Sequence, residues 1–115
     1  MNEDLARDRL EDLCPIEEEP TLTEPQLDRC LALAATVDED GLTPGNEDWT
    51  PTYSERGLYY AAREAWTLKK ARAASRFDFT TDGQSFRRSQ LADHCDEMIR
   101  RMNAKLAQSA TTVLG

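Results

Sequence analysis

The chain's single histidine, His94, stands directly before a cysteine, Cys95, and this pair comes nearest to a nucleophilic site. A cysteine becomes a catalytic nucleophile when a nearby imidazole activates its thiol. On a helix, however, consecutive residues point about 100° apart, so their side chains do not face each other. We therefore expect an exposed histidine beside a cysteine of the core, and no catalytic residues.

A second candidate for chemistry is the acidic segment from Asp38 to Gly41, which begins like a calcium-binding loop. Such a loop requires a third acidic ligand and a glutamate at its twelfth position, and the twelfth position here is Trp49. A glycine-rich phosphate loop and a pair of catalytic carboxylates are also missing from the sequence. We predict no metal, no cofactor and no enzymatic activity.

The three cysteines, Cys14, Cys30 and Cys95, are widely spaced, and no two of them form a C-x-x-C pair. We expect reduced thiols that pack as small apolar side chains. The N-terminal sequence MNEDLARDRLEDL lacks the basic and apolar regions of a signal peptide. No apolar run approaches the roughly 20 residues of a membrane span, so we expect an intracellular protein.

Charge is distributed unevenly along the chain. Residues 1–48 contain 15 acidic and 3 basic residues, a net charge of −12, whereas residues 49–115 contain 7 acidic and 11 basic residues, a net charge of +4. The acidic part either keeps the chain soluble or turns one face toward a charged partner. Seven of the 11 basic residues of the second part form a basic cluster on the predicted third helix and after the following turn: Arg63, Lys69, Lys70, Arg72, Arg76, Arg87 and Arg88.

These basic residues have three interpretations: a solvated helix face, a nucleic-acid patch, or a contact with the acidic half of a neighbouring copy. The acidic net charge of −8 disfavours independent affinity for a phosphate polymer. A contact between copies would be heterologous, and such contacts close into a ring when the rotation permits. We take the basic residues as candidates for this contact.

The apolar spacing predicts an all-α fold, a small bundle of about four helices of which two are long. The predicted helices are 3–13, a second one from its Thr23 cap to a stop at Asp38–Gly41, a third from the Ser54 cap through Ser75, and a fourth from Ser85 or Ser89 to Gln108. We expect the third helix, about 33 Å long, to form the spine.

Each of the last three helices has an apolar stripe that should face the core. The stripes are Leu27, Cys30, Leu31 and Ala34 in the second helix; Leu58, Ala61, Ala62, Ala65, Trp66, Leu68 and Ala73 in the third; and Leu91, Cys95, Met98, Ile99, Met102 and Leu106 in the fourth. The alanines of the third helix should let another helix approach closely.

Aromatic residues mark the two main connections. Trp49, near Tyr53, lies in a loop of some fifteen residues, which is long for a compact domain. It either fills the core or contacts a neighbour, so both aromatics join the subunit-contact candidates. The crossover between the long helices has an Asp82-Gly83 turn, permits a short hairpin, and carries three phenylalanines that we expect to anchor it: Phe77, Phe79 and Phe86.

The chain is accordingly divided into an acidic N-terminal segment, residues 1–22, a helical core, residues 23–106, and a flexible, extended C-terminal arm, residues 107–115. The last segment is uncharged, is rich in β-branched residues and lacks a helical pattern. Segments of this kind can become ordered when they bind a partner.

Three segments and their order resemble a known family: WTPTY (49–53), YYAAREAWTLKKA (59–71) and FDFTTDGQSFRRSQ (77–90), followed by an amphipathic helix. They resemble the head-to-tail adaptor, or head-completion connector, proteins of tailed bacteriophages, over about residues 23–106. The resemblance implies a structural virion protein, made in the host cytoplasm and located in the neck. Its copies would form a ring, commonly of twelve, beneath the portal.

The resemblance also implies partners. The ring would extend the DNA channel without binding DNA specifically, and would present a platform for a stopper, tail-tube or tail-terminator protein. The C-terminal segment would be the portal-docking arm: Ala107, Gln108, Ser109, Ala110, Thr111, Thr112, Val113, Leu114 and Gly115. Two alternatives stay open from the residues alone: a small acidic regulatory protein that mimics the charge of DNA, or a DNA-packaging accessory that uses its basic helix face.

Overall fold

The computed structural model describes the backbone of residues 1–76 and 82–114, and the side chains of residues 1–73 and 90–108. Four helices account for most of it: α1 (Glu3–Leu13), α2 (Glu24–Leu31), α3 (Glu55–Arg76) and α4 (Asp82–Leu114), with a 3-10 turn at Ala32–Ala34. The described residues contain no β-strand, and a single bridge pairs Ala35 with Tyr53. The all-α prediction, with two long helices, is confirmed.

The first two helices begin at the residues that the sequence predicts. The Asn2 side chain accepts a hydrogen bond from the Leu5 amide at 2.9 Å, and Thr23 forms a capping box with Gln26. The predicted end of the second helix at Asp38–Gly41 is wrong. After the 3-10 turn the backbone becomes extended, and the Thr36 amide donates to the carbonyl of Thr52 at 2.9 Å. The chain thus pairs across the loop instead of continuing the helix.

Helix α4 is longer at both ends than the sequence predicts. It begins at Asp82, so the expected Asp82-Gly83 turn forms its first turn, and it continues through Leu114, so the backbone of residues 107–114 is helical, not an extended arm. The physical reason is that residues 84–114 contain neither proline nor glycine. Phe77, Phe79 and the predicted hairpin lie outside the described residues, as does the Phe86 side chain.

The three predicted apolar stripes line the core. Leu27, Cys30, Leu31 and Ala34 are buried, as are Leu58, Ala61, Ala62, Ala65, Trp66 and Ala73 of α3 and Cys95, Met102 and Leu106 of α4. Leu68, Met98 and Ile99 are partly buried and pack against this core. Leu91 is half-buried.

Helix α3 is the centre of the fold. It contacts every other helix, whereas α4 packs against α3 alone among the described helices. Gly57 lets the 3-10 turn approach α3, because a Cβ at this position would lie 2.6 Å from the Cα of Ala34. The molecule is a slab of 56 × 35 × 19 Å. One long side of α3, which includes Tyr60, Glu64, Thr67 and Ala71, is left without a covering helix.

Candidate subunit-contact surfaces

The two aromatic residues near the long loop pack within the chain. Tyr53 is buried, and its amide donates to the carbonyl of Met1 at 2.9 Å. The Trp49 indole N–H donates to the carbonyl of Thr36 at 2.9 Å, and its ring meets the Tyr53 ring edge-on at 6.1 Å. Tyr53 is therefore unavailable to a neighbour, contrary to the expectation. For Trp49, the core interpretation agrees with its partly buried position.

The prediction that Lys69 contacts a neighbouring copy is also contradicted, because Lys69 is buried. Its side chain is 0% exposed, and its Nζ donates to the carbonyl of Glu18 at 3.0 Å and to that of Pro15. The ammonium lies 4.9 Å from the centroid of the Trp66 ring. The segment that joins α1 to α2 folds over α3 here and supplies these acceptors. Lys69 is thus an internal tie, not a subunit contact, and burial lowers its pKa.

Two other basic residues tie α3 to α4. Arg63 donates to Oδ1 of Asn103 at 2.8 Å, and Lys70 Nζ lies 2.6 Å from Oδ1 of Asp96. The Lys70 and Asp96 side chains are each 44% exposed, so their ion pair contributes at most about 1 kcal/mol to stability. Both basic residues are accessible from outside while they hold the long helices together.

The remaining members of the basic cluster lie at or near the α3–α4 crossover. Arg72 is exposed on α3, Arg76 is the last residue of α3, and Arg87 and Arg88 lie near the start of α4. The side chains of the last three are outside the described residues. In the proposed portal-docking segment, Ala107 and Gln108 are exposed on α4, Ser109 to Leu114 continue the helix, and Gly115 is not described.

The candidates for chemistry have structural roles in the described residues. His94 is exposed and Cys95 is buried, as predicted, and the imidazole meets the Trp66 ring edge-on at 5.2 Å. The three cysteines are free and buried. Burial raises the pKa of Cys14 to about 12 and that of Cys30 to about 11, which disfavours the thiolate that nucleophilic chemistry needs.

Asp38 uses its carboxylate to hold the long loop. Oδ1 accepts hydrogen bonds from the amides of Asp40 and Leu42, both at 2.9 Å, and Oδ2 accepts one from the amide of Thr50 at 3.0 Å. These bonds, above all the one from Thr50, lower the pKa of Asp38. No group of three or more metal-ligating side chains occurs in the part of the chain that the structure describes.

Two surface features of the structure were not among the predicted contact residues. The guanidinium groups of Arg56 and Arg63 lie 5.2 and 5.0 Å from the centroid of the Tyr60 ring, on the uncovered side of α3. Their spacing of three and four residues around a tyrosine was the available signal. The second feature is a row of aspartates at steps of four along α1, Asp4, Asp8 and Asp12, which was read only as part of the acidic segment.

Comparisons of the chain with protein-family models, with curated proteins and with solved structures find no match. Within the described residues, no helix has the combination of length and apolar character that crossing a bilayer requires.

Proposed function

We propose that the chain is a non-enzymatic structural subunit of the phage neck, a head-to-tail adaptor. Copies of it form a ring, commonly of twelve, beneath the portal. The ring extends the DNA channel and provides the platform for the next component, a stopper, tail-tube or tail-terminator protein. The protein acts in the virion after synthesis in the host cytoplasm.

The observation that carries the proposal is the two-sided charge of the slab. Helix α1 and the segment after it cover one side of α3, and they belong to the part of the chain with a net charge of −12. The side of α3 turned away from them presents two arginines beside Tyr60. Unlike, complementary sides suit heterologous contacts, and heterologous contacts generate rings when the rotation closes.

The way the helices are tied together also suits a ring subunit, because small angular errors accumulate around a closed circle. Polar side chains join the helices in pairs: Arg7 bonds Glu24 at 3.1 Å and also Asp28, and Arg9 bonds Glu55 at 2.8 Å. Each exposed pair adds at most about 1 kcal/mol. Together with the α3–α4 ties, these pairs link α1 to α2 and α3, and α3 to α4.

A DNA channel places a further requirement on its wall, since each cation bound to a phosphate would slow passage of the duplex. The acidic part of the chain, residues 1–48, meets this requirement wherever it faces the lumen. In the same arrangement the proposed portal contact is the segment of residues 107–115, of which residues 107–114 form the C-terminal end of α4. The resemblance to the adaptor proteins is the reason for assigning this segment.

The DNA-packaging alternative receives less support from the geometry. Of the basic cluster, Lys69 is buried against backbone carbonyls, and Arg63 and Lys70 are engaged with α4. Fewer cations therefore remain for phosphate contacts than the sequence indicates. Salt-sensitive DNA binding at physiological ionic strength would favour this alternative over the adaptor.

Negative-stain microscopy of the chain mixed with the portal protein of the same phage tests the proposal. We expect an added ring of density at the narrow end of the portal. Portal particles without added density would contradict it and would favour the acidic-regulator alternative. A monomer in solution does not decide the question, because ring closure can require the portal as a template.

A further inference from the structure

The uncovered side of α3 carries an aromatic ring between two guanidinium groups, and we call Arg56, Tyr60 and Arg63 the arginine–tyrosine surface. Both guanidinium carbons lie within 5.2 Å of the ring centroid. A cation over an aromatic face is attracted by the ring's quadrupole, which favours this arrangement even at an exposed site. The stacking holds both cations over one half-buried ring, on the side of α3 that no helix of the same chain covers.

This surface points away from α1. Tyr60 and Lys69 are nine residues apart on α3, which at 100° per residue places them on opposite sides of the helix. Lys69 contacts the carbonyls of Pro15 and Glu18, immediately after α1. Helix α1 itself contacts α3 at Glu55 and Trp66, which lie about 140° and 120° around the helix from Tyr60, so the Tyr60 ring faces away from α1 as well.

The outer side of α1 is a row of like charges. We call Asp4, Asp8 and Asp12 the aspartate stripe; all three are exposed, on the side opposite the buried Ala6 and Leu10. In the described part of the chain none of the three takes part in an ion pair. Like charges four residues apart destabilise a helix, and a facing cation would remove that cost.

An exposed apolar residue accompanies the stripe. Leu5 is 49% exposed, and it lies on the same side of α1 as Asp12, which is seven residues further along. Carboxylates around a leucine suit a partner that offers cations around an aromatic ring. The spacings also agree, because Asp4 and Asp12 are about 12 Å apart along their helix axis and Arg56 and Arg63 are about 10 Å apart along theirs.

We infer that the arginine–tyrosine surface of one copy receives the aspartate stripe of the next copy, and that this pairing is the repeating contact of the ring. The inference rests on the proposed function, since it identifies the subunit contact of the adaptor. The two surfaces differ and face different directions, so each copy uses both at once. The contact is heterologous and propagates from copy to copy.

Glu64 borders the arginine–tyrosine surface on the side toward α2, where its charge acts on the Cys30 thiol. Within the described residues, neither Arg56 nor Arg63 forms an ion pair with Glu64. Arg63 keeps its bond to Asn103 and can accept a second carboxylate, because a guanidinium has five N–H donors.

Charge reversal on each surface tests the contact. One variant carries R56E and R63E, the other carries D4K and D8K, and a matched control, R100E with R101E, reverses two charges at the outer edge of α4. Circular dichroism verifies the helical content of each. Each protein is mixed with the portal and imaged by negative stain. A further sample contains the portal and an equimolar mixture of the two reversed variants.

We expect rings from the unmodified chain and from the R100E/R101E control, loss of the ring with either reversed variant alone, and recovery of the ring in the mixture. Recovery is expected because the two variants can alternate around the ring. The reversed arginine–tyrosine surface of one variant then meets the reversed stripe of the other, and the two unreversed surfaces meet at the next contact. Rings with R56E/R63E alone, or a mixture that fails to form rings, would overturn this contact and leave the adaptor proposal standing. Absence of a ring with the unmodified chain would contradict both the subunit contact and the adaptor proposal.

Discussion

The ammonium nitrogen of Lys69 lies 4.9 Å from the centroid of the Trp66 ring, inside the molecule. From there it reaches the carbonyls of Pro15 and Glu18, while the Trp66 indole donates to the carbonyl of Leu13 at 3.1 Å. Two side chains of α3 thereby satisfy three carbonyls at and after the end of α1. This pair fixes the acidic side of the slab to its central helix.

Lys69→Met should destabilise the fold, because methionine fills similar space without donating to the two carbonyls. A buried polar group left unpaired costs about 1–3 kcal/mol. The matched change Lys70→Met removes only a half-exposed ion pair and should cost at most about 1 kcal/mol. Urea unfolding followed by circular dichroism measures both, and equal losses in the two variants would argue against the internal tie.

Gly57→Ala should also destabilise the protein, although alanine is the better helix former by about 1 kcal/mol. The new Cβ would lie 2.6 Å from the backbone Cα of Ala34, so the 3-10 turn must move away from α3. Overpacking of this kind costs about 1–3 kcal/mol. Gly45→Ala is the control, since nothing lies within 4 Å of a Cβ there and the unfolding midpoint should stay unchanged. A more stable Gly57→Ala protein would contradict this close packing of the 3-10 turn against α3.

Asp38 should make the long loop sensitive to acid. Hydrogen bonds from the amides of Thr50, Leu42 and Asp40 lower its pKa in the folded protein. The stabilisation is therefore complete above its unfolded pKa of about 3.9 and is lost as the pH falls through the lower folded pKa.

Asp38→Asn tests this pH dependence. Only one end of the asparagine amide is a hydrogen-bond acceptor, so it cannot replace both carboxylate oxygens. The variant should therefore unfold at a lower urea concentration than the parent at pH 7. The gap between the two midpoints should shrink below about pH 4, as the carboxylate of the parent becomes protonated. A gap that stays constant down to pH 2 would show that the carboxylate charge does not hold the loop.

The three thiols should resist alkylation while the chain is folded. All three are buried, and burial raises the pKa of Cys14 to about 12 and of Cys30 to about 11, so little thiolate forms at pH 8. Intact-mass analysis after iodoacetamide treatment should show almost unmodified protein in buffer and three adducts in urea. Rapid labelling in buffer would place a thiol at the surface.

Much of the fold follows from local sequence patterns. The bounds of α1, the Thr23 capping box and the alanine-rich side of α3 are determined by short-range spacing and caps, which a single sequence displays. The end of α2 could not be predicted in this way, because the chain leaves the helix to pair with Thr52 and Tyr53, far along the sequence. The end of α4 was misjudged because β-branched residues only weakly oppose a helix.

The surfaces were harder to predict than the core. Lys69 is grouped with Lys70 as a subunit-contact candidate in the sequence, although it lies seven residues after Ala62 and therefore on the same buried side of α3. Its acceptors come from Pro15 and Glu18, more than fifty positions away, which no local pattern reveals. The spacing of the residues indicates a cluster of Arg56, Tyr60 and Arg63. Which side of α3 stays uncovered, however, is known only once the helices are packed.

A cryo-EM reconstruction of the neck in purified virions tests the central claim most directly. The account predicts a closed layer of helical density beneath the portal, into which one copy of the slab fits per subunit, with α1 of each copy against the uncovered side of α3 in the next. A neck without helical density of this size, or virions that lack the protein altogether, would contradict it.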